Sequence, residues 1–245
     1  MLNELETTNV ITSISQPRFH TYMKAFSQIV PSETTSSEYR KVLFYFHIQN
    51  IYSCFYVPIQ TLEITIRNQV HTQMSLFYSS EYWFNYLTSE AFCTKISQDI
   101  ISAAKKKTSS DFRKKTVASQ PVDVLCRMTF GIWPEILNAP YRSSLFWQKH
   151  ASDVFPNKGK VKLGKIYDNL LQIGTLRNRL YHYEPLWKAS HNFKDIDDFC
   201  SKIESQFNII MNLIKFCSVE KYKILANHRH NLKIKILEFR NSFHH

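Results

Sequence analysis

"IYDNLLQIGTLRNRLYHYEP", residues 166–185, is written in a helical period. At about 100° per residue, Leu170 and Ile173 draw an apolar stripe, Arg177 lands near its centre and Leu180 falls just beyond. Pro185 disfavours helical geometry at Glu184, so a helix running from roughly Ile166 to Tyr183 is already ending around His182. Arg177 is the anomaly. A guanidinium where the pattern asks for leucine is costly to bury, and it must meet an acid, a carbonyl, an interface or a bound anion.

The same period runs through the rest of the chain. Only 4 glycines occur in 245 residues, against roughly 7% in average usage, and the turn dipeptides that join hairpins are nearly absent. An all-α fold is expected. The first fifteen residues read as a flexible N-terminus, followed by a helix opening at Pro17 and a polar loop, "PSETTSSEYR" (31–40). An aromatic-rich helix is expected from Glu38 to Pro58, and a second after Pro58, where Leu62, Ile66 and Val70 share one face while Glu63 and Arg67 are spaced to pair. The helical pattern continues through residues 80–106. Residues 105–120 read as an exposed connection, and Gly131 and Pro134 imply a break or close packing in "VDVLCRMTFGIWPEIL" (122–137). A helix closing at Pro156 precedes the 166–185 helix, and two more follow it. Three segments result: the N-terminus (1–15), a main helical domain (16–190) and C-terminal helices (191–245) that pack on or extend it.

Composition narrows the chemistry. The formal charge of +11 is bunched at Lys105–Lys107, Arg113–Lys115, Lys158–Lys165 and Lys221–Arg240, which suits either a polyanion partner or a solvated basic surface. The five cysteines lack any Cys-x-x-Cys pair, so neither a disulfide framework nor a zinc site is suggested, and no metal or other cofactor is expected. "VLFYFHIQNIYSCFYVPIQ" (42–60) is the most apolar stretch, but His47, Gln49 and Asn50 interrupt it. "MLNELETTNV" lacks the pattern of a signal peptide. A cytoplasmic protein without a membrane partner is the expectation. The pairs Trp83–Phe84 and Phe146–Trp147 are suited to stacking on bases, but their apolar setting favours core packing.

In the 166–185 helix, Asn178 and His182 align at i and i+4, whereas Arg177 and His182 stand about 140° apart on an ideal helix. An imidazole to move a proton and a guanidinium to stabilise charge on phosphorus are the ingredients of phosphoryl chemistry. The residues alone leave two readings: Arg177 caps a neighbouring helix and His182 closes its own, or the two act on a phosphate.

Five blocks, in order, carry a resemblance: "LEITIRN" (62–68), "TFGIW" (129–133), "LFW" (145–147), "VFP" (154–156) and "RNRLYHYEP" (177–185). From about Ser15 to Lys188 the chain resembles the Abi-like family of bacterial abortive-infection proteins, within the HEPN superfamily. That resemblance implies an all-α, HEPN-like helical bundle with additional helices, and a metal-independent endoribonuclease toxin of phage defence. It implies an RNA substrate, a homodimer whose motif helices share one composite site, and a cognate antitoxin, protein or RNA. Arg177, Asn178 and His182 would be catalytic. The ribose 2′-hydroxyl would attack the adjacent phosphate, leaving a 2′,3′-cyclic phosphate and a 5′-hydroxyl. Arg179, Tyr183, Glu184, Glu63, Arg67 and Asn68 would support the site or bind RNA. One position departs from the family, where a second histidine often stands at the place of Tyr183. The alternative is a non-catalytic RNA-binding or regulatory HEPN module.

Overall fold

The computed structural model describes residues 2–30, 37–113, 115, 117–187 and 191–243. The loop expected at 31–36, Lys114 of the second basic cluster and the domain boundary near 190 lie outside them. The described residues are all-α and bundle-like, without strands. In chain order the helices are α1 (Glu4–Ile14), α2 (Gln16–Ile29), α3 (Glu38–Ser53), α4 (Tyr56–Phe77), α5 (Trp83–Leu87), α6 (Lys95–Phe112), α7 (Pro121–Leu125), α8 (Ile132–Glu135), α9 (Ala139–Arg142), α10 (Leu145–Val154), α11 (Leu163–Tyr181), α12 (Ile196–Cys217), α13 (Val219–Ile224) and α14 (Ala226–Phe243).

Contacts divide the chain into two compact units that do not follow the three sequence segments. The first comprises Met1–Ile59, Leu176–Ile210 and Ile224–His245; the second comprises Gln60–Thr175 and Met211–Lys223.

In the first unit α3 packs against α1, α2 and α14. The N-terminal stretch expected to be flexible is helical at α1. Asn3 caps it by accepting from the Glu6 amide at 2.9 Å, Glu6 accepts from the Asn3 amide at 2.8 Å, and Thr7 and Ile11 are buried. This reciprocal cap satisfies two amides that a helix start otherwise leaves open. The core is aromatic: Phe44 meets Phe26, Phe239 and Phe243, and Phe199 meets Phe239 and Trp187. Leu232, Ile236, Phe239 and Phe243 of α14 are buried, so the C-terminal helix completes this core despite its basic composition.

The break between α3 and α4 falls at Cys54–Phe55, ahead of Pro58. Proline is tolerated in the first turn because those amides have no intrahelical acceptor. In the second unit the face of Leu62, Ile66 and Val70 is buried as its spacing requires. α6 runs on to Phe112, so the connection expected from Lys105 is helical over its first half. Thr108 explains why: it is buried, and its hydroxyl reaches the Asp123 carbonyl in α7 at 3.3 Å as well as the Ala104 carbonyl one turn back at 2.8 Å. Trp83, Phe84, Phe146 and Trp147 are core residues, and the Trp147 indole donates to the Ile136 carbonyl at 2.6 Å. Gly174 lets α11 approach the Phe130 ring, which a methyl group there would meet at 3.4 Å. Cys54, Cys200 and Cys217 are buried, whereas Cys126 is exposed.

Candidate active site at the end of α11

The C-terminal end of α11 belongs to the first unit. Leu176 and Leu180 are buried there, and Arg177 stands beside that row, half-buried. This corrects the expectation of a guanidinium at the centre of the stripe: Leu176 fills the core position. The arginine stem lies along the helix, and its head rests 4.9 Å from the centre of the Tyr181 ring, one turn on. Its Nη1 also donates to Asn178 Oδ1 at 3.4 Å.

Two adjacent i, i+4 rows therefore compose the site, Arg177 with Tyr181 and Asn178 with His182. The His182 amide donates to the Asn178 carbonyl at 3.0 Å and closes the last helical turn. Its imidazole is exposed, with no side-chain partner among the described residues. The ring stands at the helix C-cap, beside the last carbonyls of the helix.

Beyond His182 the chain turns sharply. Tyr183 has φ 57°, in the left-handed region. Its amide donates to the Leu180 carbonyl at 3.2 Å, and the Glu184 amide donates to the Arg179 carbonyl at 2.8 Å. These bonds form a Schellman cap, a motif that usually places glycine where this chain has tyrosine. Glu184 is exposed, and the buried Pro185 continues the stop.

Arg179 points away from this face. Its Nη1 donates to the Pro185 carbonyl at 3.0 Å and also to the Trp187 carbonyl. The Leu186 amide donates to the Tyr52 hydroxyl at 3.0 Å, and its carbonyl accepts from Gln206 Nε2 at 3.2 Å. Burial drives Tyr52 well above the usual phenol range, keeping it a neutral hydroxyl. Trp187 packs edge-on against Tyr22, Phe193 and Phe199. Arg179 thus anchors the segment leaving the helix, and its guanidinium is engaged with carbonyls rather than presented with Asn178 and His182.

Tyr56, in the first turn of α4, is a neighbour that the motif did not reveal. Its ring meets Tyr181 edge-on at 5.8 Å and its hydroxyl donates to the Leu180 carbonyl at 3.4 Å. Burial, then the Tyr183 and Tyr181 phenols, raise its pKa. The i, i+4 spacing of Arg177 and Tyr181 was legible in sequence; the approach of Tyr56 was not.

Glu63, Arg67 and Asn68 lie on α4 within the second unit. Glu63 and Arg67 are half-buried and Asn68 is exposed. Among the described residues, no three His, Cys, Asp or Glu side chains gather as a metal site requires, and no helix is long and apolar enough to cross a membrane.

The site is an exposed imidazole and amide at a capped helix end, a guanidinium on an aromatic ring beside them, and an aromatic residue in a left-handed turn. Compared with family models, with curated proteins and with solved structures, the chain matches none of them.

Proposed function

We propose that the chain is a metal-independent endoribonuclease of the HEPN type, acting in the cytoplasm as a toxin of phage defence and held silent by a cognate antitoxin. The observation that carries the reading is the grouping of Asn178 and the partner-free His182 on the exposed end of α11, with Arg177 one residue before Asn178. The resemblance of the five sequence blocks supplies the rest. Glu63, Arg67 and Asn68 enter as supporting residues through those blocks alone.

In the proposed reaction, the His182 imidazole removes the proton of a ribose 2′-hydroxyl. The freed oxygen forms a bond to the adjacent phosphorus, and the bond from phosphorus to the 5′-oxygen breaks. A 2′,3′-cyclic phosphate results, and the departing oxygen takes up a proton to become a 5′-hydroxyl. In a two-fold dimer, one copy of His182 serves as base and the other as acid. Arg177 stabilises the charge accumulating on the phosphorane, and Asn178 orients the phosphate by hydrogen bonding. Tyr183, where the family often has a second histidine, favours a second reading, a module that holds RNA without cutting it.

The test is incubation of wild type and His182→Ala with total RNA in EDTA, followed by chemical mapping of the new ends. Cleavage by wild type alone, with cyclic phosphate ends, is the expected result. RNA binding without cleavage by wild type would favour the second reading.

A further inference from the structure

Tyr183 is poorly explained by the fold it occupies. The left-handed conformation at φ 57° is strained for a residue with a Cβ, and glycine would make the same two capping hydrogen bonds without that strain. Strain of this kind persists where packing or function compensates it. Packing gives little compensation here: Tyr183 is 60% exposed, and no ring contact or side-chain hydrogen bond holds it among the described residues.

The backbone beneath that ring is nevertheless well fixed. Leu180 and Arg179 carbonyls hold it from the helix side, and the Arg179 guanidinium ties down Pro185 and Trp187 beyond it. The ring follows His182 directly in sequence, in a neighbourhood that also contains Tyr181, 45% exposed with the Arg177 cation on its face. A positioned flat apolar surface, next to groups suited to a phosphate, matches a nucleotide: phosphate on one part, base on the other.

We propose that Tyr183 is a base-stacking residue, receiving the unpaired nucleobase adjacent to the phosphate handled by Arg177 and His182, so that the substrate class is single-stranded RNA. The inference rests on the ribonuclease reading for its ligand. It adds a residue role and a strand preference. A base in a duplex has both faces covered by its neighbours, whereas an unpaired base can stack on an aromatic ring with little dependence on its identity.

The probe is a short, fully 2′-O-methylated single strand carrying 2-aminopurine, which lacks the 2′-nucleophile and cannot be cut by the proposed reaction. Affinity is read by anisotropy and stacking by quenching of the 2-aminopurine. Wild type and Tyr183→Phe should bind and quench alike, with the same strand in a duplex bound more weakly. Tyr183→Gly, which keeps the cap and relieves the strain, should bind about ten-fold more weakly, the effect of losing one stacked base, without losing thermal stability.

Equal binding and quenching by Tyr183→Gly would overturn the inference. So would a switch from dimer to monomer in that variant, which would assign the ring to contact between copies. Cleavage of unmodified RNA is followed in parallel. Cleavage with no effect of Tyr183→Gly leaves the nuclease reading standing without this one; stacking on Tyr183 without cleavage leaves this one standing without the nuclease.

Discussion

Two polar clusters sit at helix ends in this molecule, one at the start of α6 and one at the end of α11, and they are built in opposite ways. At α6, the Thr94 hydroxyl donates to Glu135 at 2.7 Å and accepts from the Ser97 amide at 3.2 Å. The Tyr141 hydroxyl accepts from the Thr94 amide at 3.0 Å and donates to Ser97 Oγ at 2.6 Å. Ser97, Glu135 and Tyr141 are buried. At α11, Asn178, His182 and Glu184 are exposed, and Tyr183 bears backbone strain. Buried polar groups must find partners within the protein, so the first cluster holds structure together. The second leaves its donors, acceptors and aromatic surface facing outward. Two histidines repeat the contrast: His71 Nδ1 accepts from the Trp83 indole at 3.0 Å, while His182 makes no side-chain hydrogen bond among the described residues.

The contrast predicts that changes at α11 strike activity and changes at α6 strike stability. His182→Ala should give the largest effect, a loss of RNA cleavage of about 100-fold or more with unfolding free energy altered by less than about 0.5 kcal/mol. Single-turnover cleavage and urea denaturation check the two halves; a large loss of stability would erase the distinction. Tyr141→Phe should do the reverse. It strands the Thr94 amide and takes from Ser97 Oγ the shorter of its two partners, lowering stability by about 2 kcal/mol while cleavage per folded molecule stays unchanged.

Arg179→Ala sharpens the comparison within α11 itself, because this arginine belongs to the motif yet serves the fold. Its loss should lower stability by about 1–2 kcal/mol as the Pro185 and Trp187 carbonyls lose their donor, a change visible in tryptophan fluorescence during denaturation. Acid should act through the embedded histidine. Burial lowers the His71 pKa below 6.5, so the unfolded chain binds the extra proton more readily. The associated stability is complete above pH of about 6.5 and is lost as pH falls through the folded value. Urea midpoints at pH 7.5 and 5.5, in wild type and in His71→Gln, should show a shallower pH dependence in the variant. His47, also lowered by burial, keeps the dependence from vanishing. The smallest effect is a gain: Tyr183→Gly should stabilise the chain by about 1 kcal/mol by relieving the left-handed strain.

Much of the architecture was legible residue by residue. Scarce glycine and the 3.6-residue period gave the all-α class, Leu62, Ile66 and Val70 gave the buried face of α4, and Pro185 gave the stop after α11. The misreadings share a cause. Asn3 and Glu6 make a helix of a stretch that looked frayed, and Thr108 carries α6 into a segment whose lysines and serines suggested a loop. In both, a tertiary or capping contact outweighed composition, as expected when local preferences amount to only tenths of a kcal/mol per residue.

The candidate site divides in the same way. The resemblance of the sequence blocks marked Arg177, Asn178 and His182, while the Asn178–His182 register and the helix end were legible because i, i+4 spacing and proline sterics are local properties of the chain. Only the tertiary structure decided that Leu176 takes the core position, that Arg179 turns to the backbone carbonyls, that Tyr56 joins Tyr181, and that Tyr183 remains exposed. Those outcomes depend on which face of α11 meets the packed core, and that choice is made by residues distant in sequence.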